Sequence, residues 1–126
     1  MIRATRNQIG NAKNPYQTEA KRVLCCCSAG LLRSPTLANV LHKEYGYNTR
    51  ACGTEKEFAL IPISEVLIRW AEEIVFVNKS SFDALGDEEL SLVGRKAVVL
   101  DIPDEYDWND PLLQSILLHQ YNKARG

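Results

Sequence analysis

The chain has 126 residues, 45% of them hydrophobic, which is enough to close one core and too little for a second. A formal net charge of −1 excludes a global attraction to nucleic acid or to an anionic membrane, so any affinity for phosphate has to come from a local arrangement. No apolar run approaches the roughly 20 residues that span a bilayer, and Met1-Ile2-Arg3-Ala4-Thr5-Arg6 leads into polar residues, so a soluble, cytoplasmic protein is expected.

Residues 1–21 are polar and basic, with Asn11, Asn14 and Pro15 breaking any period; they read as an N-terminal arm ahead of a domain over residues 22–126. Val23-Leu24-Cys25-Cys26 follows as a continuous apolar strand, the pattern of a central parallel strand covered on both faces. Ser34-Pro35 reads as a helix N-cap followed by proline in the first turn. Leu37, Val40, Leu41 and Tyr45 then recur at helical spacing until Gly46 stops them. Residues 48–52 form a second strand ending at Gly53, and Ser64 caps a helix with Leu67, Trp70 and Ala71 on its apolar face.

Ile74-Val75-Phe76-Val77 is a third buried strand, residues 80–92 a polar helical region ending at Gly94, and Ala97-Val98-Val99-Leu100 a fourth strand. The last helix opens at Asp110-Pro111 and carries Leu112, Leu113, Ile116, Leu117 and Tyr121 as its stripe. Strands alternating with helices predict an α/β fold, a parallel sheet with helices on both faces.

Four cysteines are present, and Cys25, Cys26 and Cys27 are consecutive, which suits free thiols in a reducing compartment better than disulfides. No Cys-x-x-Cys pair occurs, Cys52 stands alone, and His42 and His119 show no ligand spacing, so no metal site is predicted. The chemistry concentrates instead in Cys27-Ser28-Ala29-Gly30-Leu31-Leu32-Arg33-Ser34, a cysteine and an arginine separated by five residues between strand and helix.

Such a loop aims backbone N–H groups and the positive helix end at one point, and a phosphate fits that point. Those donors and the arginine favour a thiolate at Cys27, the form of the nucleophile that attacks phosphorus. Arg33 presents a planar fork to two phosphoryl oxygens and follows the charge of the transition state. Gly30 permits a positive φ, and the Ser34 hydroxyl is placed to donate to the sulfur. Ser28, Ala29, Gly30, Leu31, Leu32, Arg33 and Ser34 are accordingly the predicted phosphate ligands. The bland reading is a cysteine that only ends a strand near a surface arginine; the coincidence of spacing, loop and Ser-Pro helix start favours function.

The stretch from Val23 through Cys27-Ser28-Ala29-Gly30-Leu31-Leu32-Arg33-Ser34-Pro35-Thr36 resembles the signature loop of the low-molecular-weight protein tyrosine phosphatases, and most of all their short microbial and phage members. The likeness continues through Thr49-Arg50-Ala51-Cys52-Gly53-Thr54, through residues 70–77, and through Leu100-Asp101-Ile102-Pro103-Asp104 with Asp110-Pro111. It implies a three-layer fold around a four-stranded parallel sheet of order 2-1-3-4, a phosphocysteine intermediate and no metal or other cofactor. Its substrates would be a phosphorylated protein or a small aryl phosphate, with inorganic phosphate as product. Gly30 replaces a usual asparagine, Leu32 a frequent second cysteine, and residues 1–21 have no counterpart in the family core.

A cysteine phosphatase also needs an aspartic acid to protonate the leaving group. Asp110, which matches the family's Asp-Pro motif, ranks first, although Asp-Pro is equally a helix cap; Asp101 and Asp104 are the alternatives. Cys26 or Cys52 is a candidate resolving thiol for an oxidised Cys27. Tyr106 and Trp108 either line the substrate entrance or anchor their loop. Two other functions remain open. One is a catalytically silent phosphate-recognition module. The other is arsenate reduction, which is disfavoured because residues 78–95 contain no relay cysteine.

Overall fold

The computed structural model describes residues 20–28, 33–57, 59–103 and 110–125. The N-terminal arm, apart from Ala20 and Lys21, lies outside them, as do Ala29, Gly30, Leu31, Leu32, Asp104, Tyr106 and Trp108. The elements run β1 (Arg22–Cys27), α1 (Arg33–Tyr45), β2 (Asn48–Gly53), α2 (Glu65–Trp70) and β3 (Glu73–Phe76). They continue through α3 (Lys79–Asp83), α4 (Asp87–Val93), β4 (Ala97–Val99) and α5 (Pro111–Arg125). The four strands form one parallel sheet in the order β2-β1-β3-β4, as expected.

Strand alternation splits the core into two halves. Val23, Cys25 and Cys27 join Leu37 and Leu41 of α1 and Leu113, Leu117 and Tyr121 of α5 on one face. Leu24, Cys26 and Cys52 join Ile68 of α2 and Val93 of α4 on the other. Each fully covered Leu, Ile or Val contributes on the order of 2 kcal/mol, which explains why the β1 run is apolar without alternation. No helix among the described residues is long and apolar enough to cross a membrane.

Several boundaries differ from the sequence expectation for identifiable reasons. Helix α1 begins at Arg33, so Ser34 is inside its first turn and does not cap it; the hydroxyl is drawn instead to the groups at the end of β1 and β2. Pro35 is tolerated because first-turn N–H groups have no helical acceptor. The polar region over 80–92 is two helices, α3 capped by the Asn78 side chain and α4 starting after Gly86. On α2 the fully buried residue is Ile68, while Leu67 and Trp70 are half-buried. The ring of Trp70 stacks under the Arg50 guanidinium 4.4 Å away. Strand β4 is short and lies at the sheet edge, leaving Val99 exposed. The stop at Gly46 holds: its φ of 70° is the left-handed conformation that glycine adopts without strain, and its N–H closes on the His42 carbonyl.

Candidate functional site

Cys27 is the last residue of β1 and Arg33 the first of α1, so the strand's carboxyl end and the helix's positive end meet at one corner. Both side chains are nearly enclosed, Cys27 at 3% and Arg33 at 6% exposure. The Cys27 thiol donates to Ser34 Oγ at 3.2 Å, and the Ser34 hydroxyl donates to the Cys52 carbonyl at 3.3 Å. A hydroxyl in that position can turn its proton toward sulfur when the sulfur is ionised. Arg33 Nη1 donates to the Ile102 carbonyl at 3.0 Å, which fixes the guanidinium against the segment leaving β4.

Neighbouring strands hold the corner in place. Beyond their paired register, the Thr54 N–H donates to the Cys27 carbonyl and the Glu55 N–H to the Ser28 carbonyl, each at 2.9 Å. Ser28 is thus anchored at the start of the loop. Ala29, Gly30, Leu31 and Leu32, the remaining expected phosphate ligands besides Arg33 and Ser34, lie outside the described residues.

The three candidate acids part company. Asp110 Oδ1 accepts the Leu112 N–H at 2.9 Å, the N-cap bond of α5. Asp101 has an exposed side chain, and its backbone is held by Gln120: its N–H donates to Gln120 Oε1 and its carbonyl accepts from Gln120 Nε2, each at 2.8 Å. Asp104 is outside the described residues.

The resolving-thiol expectation meets an obstacle in the geometry. Cys26 and Cys52 are register partners with sulfurs 3.3 Å apart, both wholly buried in the half-core opposite the one that contains Cys27. The sheet itself therefore separates them from the candidate nucleophile. Burial, and next the hydrogen bond with Cys52, push the Cys26 thiol well above its ordinary value. Burial does the same to Cys25, so both are neutral packing groups.

Sequence reasoning did not single out Gln120, the Cys52 carbonyl or Thr54. Gln120 reads as an ordinary polar helix residue, and a carbonyl has no sequence signal. Thr54 is 4% exposed, and its hydroxyl has no hydrogen-bond partner among the described residues. Among the same residues no cluster of three or more His, Cys, Asp or Glu side chains is arranged to hold a metal ion.

No protein-family model matches the sequence, and no curated protein matches it. Solved structures do match the fold. The tyrosine phosphatase Wzb from Escherichia coli K30, in complex with phosphate, superposes with a TM-score of 0.59 at 14% identity, over 82% of this chain and 95% of that one. YwlE arginine phosphatase from Geobacillus stearothermophilus gives 0.60 at 15%, over 83% and 88%. Vibrio vulnificus Wzb in complex with benzylphosphonate gives 0.60 at 17%, over 83% and 94%.

The fold is that of the low-molecular-weight tyrosine phosphatases. In this fold the connections that leave the neighbouring strands β1 and β3 run in opposite directions across the sheet, which makes the gap between them the switch point. Helix α1 carries the chain outward to β2 on one face, and α2 returns it past β1 to β3 on the other. Ligands of open α/β sheets bind at such a switch point, beyond the carboxyl ends of the strands, and the Cys27–Arg33 corner is there.

Proposed function

We propose that the protein is a cysteine-dependent phosphatase that hydrolyses phosphomonoesters through a phosphocysteine on Cys27. The observation that carries this reading is the meeting of Cys27, Ser34 and Arg33 at the carboxyl edge of the sheet, with the sulfur 3.2 Å from the serine hydroxyl. In the proposed reaction the Cys27 thiolate attacks phosphorus, and the bond to the leaving oxygen breaks. The leaving group takes a proton from an aspartic acid. Water, deprotonated by the same carboxylate, then displaces the sulfur and releases inorganic phosphate.

Arg33 and the loop amides of residues 28–34 stabilise the charge on the equatorial oxygens. Ser34 steadies the thiolate, and when sulfur is displaced it donates to it again. Asp110 is the first choice for the acid, with Asp101 and Asp104 as alternatives. The reaction assigned here uses no metal or cofactor, and residues 22–126 form the catalytic domain.

The substrate proposed is a phosphotyrosine-bearing protein or a small aryl phosphate, in keeping with the benzylphosphonate held by one structural neighbour. The arginine phosphatase among the neighbours supports a second substrate, a phosphorylated arginine, for which the bond broken by Cys27 would be P–N and the protonated leaving atom nitrogen.

Two sets of assays test the reading. Aryl phosphate hydrolysis is expected in the wild type and lost in Cys27→Ser; phosphate binding without turnover would favour the silent module, and thiol-coupled arsenate reduction the reductase. Asp110→Asn keeps the cap, since asparagine caps helices as well as aspartate does, and removes only the proton. It is expected to slow poor leaving groups at least about a hundredfold, the lower range for general acid catalysis. If Asp101→Asn or Asp104→Asn alone does so, the assignment passes to that residue. Tyrosine- and arginine-phosphorylated peptides compared side by side distinguish the two substrates.

A further inference from the structure

The segment leaving β4 keeps pairing with β3 after the strand ends. The Leu100 N–H donates to the Phe76 carbonyl at 2.8 Å and the Ile102 N–H to the Val77 carbonyl at 2.9 Å. By the alternation of an extended chain, the N–H and carbonyl of Asp101 between them face outward, where the described residues supply no further strand. Both are taken up by one side chain, the Gln120 amide of α5, in two bonds of 2.8 Å. A carboxamide reproduces the donor and acceptor of a peptide group, so Gln120 acts as a single link of a fifth strand.

The next carbonyl along, that of Ile102, receives Arg33 Nη1 at 3.0 Å. Helix α5 is itself fixed, because Leu117 and Tyr121 on either side of Gln120 are fully buried. The chain of contacts therefore runs from a rigid helix through Gln120 to the backbone of residue 101, and through the adjoining carbonyl to the guanidinium.

We propose that Gln120 is a positioning residue for the phosphate clamp: it fixes the backbone whose Ile102 carbonyl sets the plane of the Arg33 guanidinium. This rests on the phosphatase reading above. Gln120 has no contact with the reacting atoms in this scheme. Its loss lets the unpaired backbone of residue 101 shift, and a displaced clamp binds a tetrahedral oxyanion poorly.

The test is a double-mutant cycle on inorganic phosphate, measured as a competitive inhibitor of aryl phosphate hydrolysis and directly by calorimetry. Gln120→Met keeps the volume and removes the amide; it is expected to weaken phosphate binding at least about tenfold. Gln120→Glu keeps only the acceptor and should fall in the same direction. In an Arg33→Lys background the Gln120→Met change should add less than about twofold, since the clamp it aligns is already lost.

A residue that merely supports the fold would lower the unfolding midpoint and act equally in both backgrounds. Wild-type phosphate affinity in Gln120→Met, or an undiminished loss in the Arg33→Lys background, overturns the assignment. Should Gln120→Met fail to fold, Gln120→Glu with unaltered phosphate affinity overturns it equally. A wild-type protein that neither binds phosphate nor hydrolyses the ester overturns the phosphatase reading along with it, whereas active wild type with an indifferent Gln120 overturns this inference alone.

Discussion

Ser34 shows how a single side chain changes meaning between sequence and structure. As a serine before proline it reads as a cap, yet it is fully buried and its hydroxyl lies between the Cys27 sulfur and the Cys52 carbonyl. In the proposed mechanism Ser34→Ala removes the group that steadies the Cys27 thiolate. The expected loss is about tenfold in kcat, some 1.4 kcal/mol of transition-state stabilisation, with KM little changed. Ser34→Thr, which retains a hydroxyl, should recover part of the rate. Steady-state kinetics on one aryl phosphate check both. The placing of Cys27 and Arg33 at one corner was legible, because an apolar strand running into a helix start fixes where both ends of the loop lie. The choice among Asp101, Asp104 and Asp110 was not, because proton donation depends on distances that spacing does not encode.

At the scale of elements, local signals were read well wherever a cap or an apolar run determined the outcome. Ser64 caps α2 by accepting the Leu67 N–H, and Gly46 ends α1. The strand expected over residues 97–100 is present as β4, one residue shorter, while the single polar helical region expected over 80–92 divides into α3, capped by Asn78, and α4, which starts after Gly86.

The docking of α5 on the sheet supplies a pH-dependent contact. Tyr121 is buried and donates to Glu73 Oε1 at 2.6 Å, and Glu73 also pairs with Lys21 at 3.2 Å. Burial first, then the hydrogen bonds with Glu73 and Tyr47, push the Tyr121 phenol far above its ordinary value. Because the unfolded chain then releases that proton first, this part of the stability is complete below the usual tyrosine value of about 10 and declines as pH rises beyond it. Tyr121→Phe is expected to cost about 1–3 kcal/mol near neutral pH and to flatten the alkaline decline in denaturant midpoints. Some decline remains, since the buried Cys25 and Cys26 thiols are raised for the same reason.

Over the whole molecule, the two-sided helix cover was legible, because an uninterrupted apolar β1 requires both faces to be covered, whereas the sheet order followed only from the resemblance carried by the Cys27–Arg33 loop. The division of the core explains a feature that composition leaves hidden. Three consecutive cysteines alternate faces, so Cys27 reaches the site corner while Cys26 packs against Cys52 behind the sheet. The Cys27–Arg33 corner joins β1, α1 and the segment after β4, so the phosphate proposed to bind there would tie distant parts of the chain together. Phosphate at a hundred times its dissociation constant is expected to add about 2.7 kcal/mol to unfolding stability. A thermal scan should show the midpoint rising with phosphate in the wild type and staying put in Arg33→Ala.

The sulfur of Cys27 is the centre of the account, and a denaturing quench during turnover of a labelled aryl phosphate probes it directly. Peptide mapping is predicted to find one phosphoryl group per chain, bonded to Cys27, with hydrolysis abolished in Cys27→Ser. A phosphoryl group on any other residue, or a Cys27→Ser protein that still turns the ester over, would contradict it.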